Sequence, residues 1–539
     1  MVAVASVNRP SWLVQKYGGT SLGKLMDTIC GSIIPAYAKQ HRLVIVCSAL
    51  SGTVKASGTT SLLLKCIALA ELGCGAQDEL VDLVDAIRDN HLAMLDAIFD
   101  LACCTQSTVP VMETYEITKA SIETECEAAK HYLLAAQIVG ELSPRSKDRI
   151  IALGEKLACI IMAACLASKG IAAKPVILDD VVSAAFGPSA DDQAAVLDRQ
   201  GSEFYHAIAE EIATRVTDCD GAIPIVTGFF GIMPNSLIQT VGRGYSDLCA
   251  AMVAVAVGAA ELQIWKEVDG IFTADPRKIP SAQLLPFVTA DEATELTYYG
   301  SEVIHPLTMD QIREANIPVR LKNVFKPHDE GTLVDPSFTP AALEVSSRKT
   351  VSSPPGVLLK QDFAVGRSER RRPTAVTVKD DVLLINVVCN RNTKSAGLLV
   401  QVFDRLERNN IPVDLVATSE RNVSLAIHSP GHNNMNAAVS RLKEELEKIG
   451  QVVVVENMSI VTIVGHKMRN QVGVANETLS ALAAANVNIH LISQGASEIS
   501  ISLVVNAGDA TTALNAIHQE VLKIPSVEEG RFRRRAWLY

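Results

Sequence analysis

Five apolar runs bounded by glycine, serine or threonine recur along the first 325 residues: WLVQKYGGTS, RLVIVCSALSG, IPIVTGFFG, LQIWKEVDG and PVRLKNVF. Long helical patterns separate them. Buried strands alternating with helices imply an α/β fold with a parallel or mostly parallel sheet, covered by helices on both faces, because parallel strands are joined by crossovers that usually hold a helix. Between the second and third runs, a mostly helical stretch from about 60 to 169 breaks near Gly73 and around CCTQSTVP at 103–110. Its middle, about 73–145, reads as an insertion.

A chain of 539 residues exceeds what one core usually supports and suggests roughly three to four domains. Hydrophobic residues make up 48% and aromatics only 4%, so small and branched aliphatics build the interior of an ordinary globular protein. The net charge of −11 and pI near 5.6 argue against a general nucleic-acid binder, which needs a basic face to displace counterions. A small-molecule enzyme fits this charge better. The basic tail RFRRRAWLY offers a contact for anions or anionic lipid, but so short a run reads first as a solvated end or an edge packed on a neighbour.

The twelve cysteines include no CxxC pair and no histidine at zinc spacing; several, such as Cys47 and Cys159, sit in apolar runs and read as reduced core thiols. The N-terminus MVAVASVNRP lacks the charged start and long apolar stretch of a secretory signal, so a cytoplasmic chain is expected. The longest uncharged apolar run, 248–260, is too short to span a bilayer.

KYGGTSLGKL at 16–25 nearly spells a P-loop, but Leu25 follows Lys24 where a Ser or Thr would ligate magnesium. What survives is a strand end at Lys16, glycines at 18 and 19 that let N–H groups approach an anion, and Thr20, Ser21 and Lys24 around a helix start. A glycine turn with surface lysines competes with phosphate binding for this decapeptide alone. TVGRGYSDLCAAM places Arg243, Ser246 and Asp247 on a glycine-flanked turn opening an apolar helix. Capping explains Ser246 and Asp247, whereas Arg243 between two glycines suits a carboxylate clamp. WKEVDGIFTADPRKIP follows a strand with a polar loop carrying Lys266, Glu267, Asp269, Asp275 and Arg277, either a solvated loop or part of a site at the sheet's carboxyl edge. Glu155 in ALGEKLACIIMAACL either favours a helix dipole or binds an ammonium group.

Residues 336–373 contain VSSPPG and GRSERRRP and read as a linker or lid. After them the order strand, loop, helix, strand, turn, strand occurs twice, with VDLVATSERNVSLAI answered by HLISQGASEISISLV. This internal duplication suggests a regulatory pair.

KYGGTS, GRGYSD, VDGIFTADPR and GSEVIHP in one chain and in this order resemble the aspartate kinases of the amino-acid kinase family, and the duplicated unit resembles their paired ACT domains. WKEVDG and GSEVIHP, with the helical insertion, look like the fungal branch. The resemblance implies an amino-acid kinase fold over 11–335, a linker over 336–373 and ferredoxin-like ACT domains over 374–455 and 456–535. It implies ATP-dependent phosphorylation of the L-aspartate side chain to 4-phospho-L-aspartate, opening the route to threonine, methionine and isoleucine. Magnesium would arrive with ATP, with no direct protein ligand expected. Feedback by threonine and a homo-oligomer joined through ACT domains are further implications.

Carried over by motif, Lys16, Gly18 and Gly19 hold the transferring phosphate and Lys24 adds positive charge. Ser48, Glu155, Phe229, Arg243 and Ser246 form the aspartate pocket, with Arg243 suited to the α-carboxylate and Glu155 to the α-ammonium. Asp247 organises the metal or the lysines. Lys266, Glu267, Phe272 and Arg277 complete the ATP contacts, and Asp414, Ser419 and Glu420, with the 391–397 loop, hold the effector unless they merely cap strand ends. Many bacterial members have Thr-Asp at Lys266-Glu267, Tyr at Phe272 and Lys at Glu302, which suggests that positive charge has moved to Lys266. His305 reads as packed or capping. The competing readings are a kinase of glutamate, acetylglutamate or a nucleoside monophosphate, and a catalytically silent amino-acid sensor.

Overall fold

The computed structural model describes residues 10–52, 57–103, 109–199, 201–234, 236, 244–300, 304–337, 372–389, 395–429 and 433–525. The chain divides into two compact units, Met1–Gly270 with Ile304–Ser337 and Ile271–Val303 with Phe338–Tyr539.

The strands of the first unit are β1 (Trp12–Tyr17), β2 (Arg42–Cys47), β3 (Ala173–Val176), β4 (Ile223–Thr227), β5 (Glu261–Lys266), β6 (Val319–Asn323) and β7 (Thr332–Asp335). Their spatial order is β3-β4-β2-β1-β5-β6-β7, parallel except for the antiparallel β6–β7 pair. The five apolar runs are thus the inner strands β1, β2, β4, β5 and β6. From β1 the chain crosses to β2 on one side, while β5 leads to β6 on the other. That reversal places a crevice at the carboxyl ends of β1 and β5, where open α/β sheets bind ligands.

The longer helices that frame this unit include α1 (Gly19–Thr28), α2 (Thr59–Glu71), α3 (Gln77–Cys103), α4 (Val109–Val139), α5 (Pro144–Ser168), α6 (Gly201–Thr217), α7 (Tyr245–Val257) and α8 (Pro306–Glu314). The expected break near Gly73 is a left-handed residue (φ 84°), and Gly140 (φ 73°) closes α4 in the same way. Of the break expected at 103–110, residues 104–108 lie outside the described residues. The insertion is not an appendage: Leu80 and Ile87 of α3, Leu133 of α4 and Ile150 of α5 share one apolar cluster with Tyr17 and Ile45 of the sheet. Helix α5 is apolar and long enough to cross a membrane by composition, but 83% of its apolar window is buried inside the protein. It is a core helix.

The second unit carries β8 (Ala375–Cys389), α9 (Ser395–Arg408), β9 (Leu415–Thr418), β10 (Asn422–His428) and α10 (Asn433–Glu447). They are followed by β11 (Gly450–Val464), α11 (Val474–Ala484), β12 (Leu491–Gln494), β13 (Ser500–Asn506) and α12 (Ala510–Glu520). The duplication is therefore real, each copy running β-α-β-β-α, and the two copies form one antiparallel sheet in the order β9-β10-β8-β11-β13-β12. The two long strands serve both copies. Val382–Val388 of β8 pair with β10, while Ala375–Lys379 pair with Ile460–Val464 of β11; beyond a register shift at Val455/Met458, Gly450–Val455 pair back with Leu384–Cys389. Side chains follow: Val376 packs with Val461, Leu482 and Leu514, whereas Ile385 packs with Leu398 and Leu442. The start of the first copy's strand thus completes the second copy's sheet.

Residues 271–300, which chain order assigns to the kinase portion, pack within this second unit. Ala274 and Ile279 join the cluster of Val376 and Val461, and the Val376 N–H donates to the Thr273 carbonyl at 2.9 Å. The helix Ala290–Tyr298 starts on a capping box between Thr289 and Glu292. Glu292 is 1% exposed and accepts from the Thr374 hydroxyl (2.6 Å) and the His466 backbone N–H (2.8 Å), with the His466 ring Nδ1 at 2.7 Å. Burial pushes its carboxyl up, but His466, Thr374 and Thr289 together win and hold it down at about 2.

Candidate active site

Successive strand residues face opposite sides, so Leu13 and Tyr17 of β1 enter the cluster beside α5 while Lys16 points to α7. Lys16 lies at the carboxyl end of β1 opposite Ile264 of β5, and its ammonium meets Asp247 Oδ1 at 2.6 Å. Lys266, the last residue of β5, reaches Asp247 Oδ2 at 3.3 Å. Lys16 and Asp247 are 5% and 3% exposed. Burial raises the carboxyl of Asp247, but the charges of Lys16 and Lys266 outweigh it and leave it below the ordinary carboxylate range. One carboxylate therefore fixes two ammonium groups at the switch point, leaving a net positive centre suited to polyanionic phosphate.

Glycines shape the approach to this centre. Helix α1 starts at Gly19, directly after Gly18, so Gly23 and Lys24 lie in its second turn, a register unlike a P-loop. Gly18 is the N-cap with no side-chain cap, which leaves the first-turn N–H groups of α1 open to an anion. A Cβ on Gly18 would meet nothing closer than 4.0 Å, whereas one on Gly19 or Gly23 would collide with the carbonyl of Ala49 or Ser51. Gly18 leaves space and Gly19 lets α1 seat on the 49–51 turn. The Gly18 N–H itself leans on the Trp265 carbonyl at 3.4 Å.

The first turn of α7 supplies three neighbouring contacts. Its N-cap Gly244 has φ 98°, a conformation that favours glycine, and a Cβ there would press on the His305 side chain at 3.1 Å. Tyr245 donates to Glu155 Oε1 of α5 at 2.5 Å, the Ser48 hydroxyl donates to Ser246 at 2.9 Å, and Asp247 takes the two lysines. Neither Ser246 nor Asp247 caps the helix, whose N-cap is Gly244. The Phe229 ring stands edge-on to Tyr245 at 6.3 Å. Gly228 brings β4 against β2, since a Cβ there would lie 2.7 Å from the Cys47 carbonyl and 2.9 Å from Ser246 Cβ. Glu155 is 1% exposed and its Oε2 has no hydrogen-bond partner among the described residues. Burial lifts its carboxyl to about 7, against the lowering pull of Tyr245, the backbone N–H groups of Glu155 and Ala49, and Lys16.

Lys16, Ser48, Glu155, Phe229, Ser246, Asp247 and Lys266 are therefore brought together. Lys24 lies beside them, within 3.8 Å of Glu267, both about one third exposed. Arg243 and Glu302 lie outside the described residues. His305 caps α8, its Nδ1 accepting from the Leu307 N–H, as the capping alternative expects. Asp269 is committed to Asn323 (2.6 Å) and Lys326 (2.7 Å). Phe272 and Arg277 belong to the second unit, where Phe272 bridges to Leu284 and Arg277 is exposed and paired with Asp275. The effector candidates also lie there. Asp414 is bound by Lys379 at 2.6 Å, Ser419 closes the β9–β10 turn by accepting from the Asn422 N–H, and Glu420 is exposed. Residues 391–394 of the expected effector loop lie outside the described residues, and 395–397 open α9. Sequence reasoning missed Tyr245; the only signal was its place between Arg243 and Ser246.

No group of three or more His, Cys, Asp or Glu side chains suited to a metal occurs among the described residues, and the buried carboxylate of Asp247 is already engaged by two cations.

Comparison with known proteins agrees with this architecture. The model of the amino acid kinase family matches residues 11–323, and that of the ACT domain matches 461–521. The chain belongs to the amino acid kinase family. Within that family it is 41% identical to the aspartokinase of Saccharomyces cerevisiae over 95% of this chain and 93% of that one. It is 39% identical to the aspartokinase of Schizosaccharomyces pombe over 99% and 98%. The crystal structure of E. coli aspartokinase III in complex with aspartate and ADP (R-state) shares the fold, with a TM-score of 0.66 at 23% identity over 95% of this chain and 99% of that one. Its complex with lysine and aspartate (T-state) gives 0.68 at 24% over 94% and 99%. The chain is thus a kinase of the aspartokinase branch.

Proposed function

We propose that the chain transfers the γ-phosphoryl group of magnesium-ATP to the side-chain carboxylate of L-aspartate, giving 4-phospho-L-aspartate and ADP. The observation that carries this is the Lys16–Asp247–Lys266 triad at the carboxyl ends of β1 and β5, in which Lys16 and Asp247 are buried. In the transfer, a bond forms between a carboxylate oxygen and the γ-phosphorus as the bond to the bridging oxygen breaks, and the electron pair leaves with ADP. The aspartate carboxylate is ionised near neutral pH, with a pKa of about 4, so no general base is needed. The work is to bring one anion onto another. Lys16, held in place by Asp247, meets the transferring phosphoryl oxygens, the first-turn N–H groups of α1 receive the phosphate chain, and Lys24 and Lys266 add positive charge. Magnesium supplies charge neutralisation on the nucleotide.

For aspartate, Glu155 accepts the α-ammonium and the Ser48–Ser246 pair with Phe229 lines the pocket. Arg243 clamps the α-carboxylate on the strength of its sequence setting. The product feeds the route to threonine, methionine and isoleucine, and threonine acts as feedback effector through Asp414, Ser419 and Glu420. We further propose a cytoplasmic homo-oligomer with the domain bounds inferred from sequence; the eight free, buried cysteines among the described residues support a reducing compartment.

Initial rates with aspartate, glutamate and N-acetylglutamate as acceptors test the substrate, and added threonine tests the regulation. Aspartate should be preferred by at least roughly a hundredfold, as expected when a buried polar pocket is left partly unpaired by the wrong acceptor. Equal rates with glutamate would remove the aspartate assignment, and threonine inhibition unchanged in Asp414→Asn would remove the effector site.

A further inference from the structure

We propose that Tyr245 is a positioning residue for the acceptor substrate: its hydroxyl holds one oxygen of Glu155 so that the other is kept for the substrate ammonium. This rests on the aspartate reading of the site. Three facts of geometry carry it. The Tyr245 O–H donates to Glu155 Oε1 at 2.5 Å, while Oε2 of the same buried carboxylate has no partner among the described residues. The phenol is fixed by its place in the first turn of α7, next to Ser246, which is bonded to Ser48, and Asp247, which is bonded to Lys16. Its ring stands edge-on to Phe229, so the ring that delivers the hydroxyl is packed against a second, buried aromatic.

A carboxylate taken out of water is costly unless hydrogen bonds and charges replace the water it loses. The groups facing Glu155 are few. Lys16 of β1 and the Tyr245 hydroxyl of α7 favour its ionised form, with the Ala49 and Glu155 backbone N–H groups; the thiols of Cys159 on α5 and Cys249 on α7 are the other titratable neighbours. Burial, followed by the Glu155 charge and this hydrogen bond, holds the Tyr245 phenol well above its ordinary range, so it remains a donor throughout the working pH range. Burial has lifted Glu155 to about 7, so small losses of support decide whether it is charged when substrate arrives. Tyr245 therefore both aims the carboxylate and helps keep it ionised.

Tyr245→Phe keeps the ring and removes only the donor. A hydrogen bond to a charged group is worth enough to move a titration by about one pH unit or an affinity by roughly tenfold. The variant should raise KM for aspartate roughly tenfold at pH 7 while kcat and KM for ATP stay within about twofold. The pH below which aspartate affinity is lost should move up by about one unit. In parallel, carbon-13 NMR of the labelled glutamate carboxyls, with Glu155→Gln used to assign the Glu155 signal, should show that midpoint rising in Tyr245→Phe without any substrate.

A KM profile and a Glu155 midpoint that both match wild type would overturn the proposal, as would an equal fall of kcat, ATP affinity and aspartate affinity with an unmoved midpoint. If wild type fails to phosphorylate aspartate, the functional reading falls, and the carboxyl titration still decides whether Tyr245 holds Glu155.

Discussion

Replacing Lys16 by methionine removes one cation from a carboxylate that has almost no access to water. Asp247 is 3% exposed, and its low position depends on Lys16 at 2.6 Å and Lys266 at 3.3 Å outweighing a burial effect of opposite sign. Breaking a buried pair from one side costs about 3 kcal/mol or more, because the remaining charge is left partly unpaired. Lys266 is partly exposed and lies at the longer distance, so it compensates incompletely. The pH dependence has a definite sign. In wild type the folded Asp247 lies below its unfolded value, so its contribution is present above about pH 4 and is lost as pH falls through the folded value. In Lys16→Met burial dominates and the folded value rises above the unfolded one, so the variant's deficit should be largest at pH 7 and shrink toward pH 4. The assay is urea unfolding of Lys16→Met, Asp247→Asn and the double variant, followed by tryptophan fluorescence, Trp265 being fully buried in this unit. A coupling of about 2 kcal/mol or more at pH 7 is expected. Additivity of the two single changes within about 0.5 kcal/mol would refute the claim that Asp247 exists to hold Lys16.

Two neighbouring glycines should separate packing from phosphate approach. Gly19→Ala forces α1 off the 49–51 turn and should cost about 1–3 kcal/mol in thermal stability, whereas Gly18→Ala should leave stability nearly unchanged and raise KM for ATP. Wild type binds an extra proton at Glu155 between about pH 4.5 and 7, so its stability should fall across that range by about 3 kcal/mol more than that of Glu155→Gln; parallel curves would contradict this. Glu292 has the opposite sign. Held at about 2, it stabilises the second unit above about pH 4.5 and loses that contribution as pH falls toward 2, so Glu292→Gln should be weaker by about 3 kcal/mol at pH 6 and match wild type near pH 2 in chemical denaturation.

The parallel sheet was legible because its strands are buried on both faces and read as apolar runs, and the duplication was legible because each copy repeats the same strand and turn signals. The candidate site was legible where chemistry contradicts folding preference: a lysine near the end of an apolar strand, and a glutamate inside an apolar helix. Other features depend on contacts far apart in sequence. Nothing in KYGGTS says that Gly19 seats against Ala49 while Gly18 stays open, because glycine looks the same in either role. Asp247 reads locally as a first-turn helix acid, and only the β1–β5 pairing brings two lysines to it. The sharing of β8 and β11 between the two copies was hidden because a 15-residue alternation does not record which partner each half meets. Residues 271–300 join the second unit through Ala274 and Ile279 in its apolar cluster and through Glu292 with Thr374 and His466, contacts for which composition carries no signal.

The most direct test of the central claim is to trap the acyl phosphate with hydroxylamine during turnover of magnesium-ATP and L-aspartate, comparing wild type with folded Lys16→Ala. Aspartate β-hydroxamate from wild type, reduced by at least about a thousandfold in the variant, is the expected result. Undiminished hydroxamate from Lys16→Ala, or none from folded wild type, would contradict a phosphoryl-transfer site built on Lys16 and Asp247.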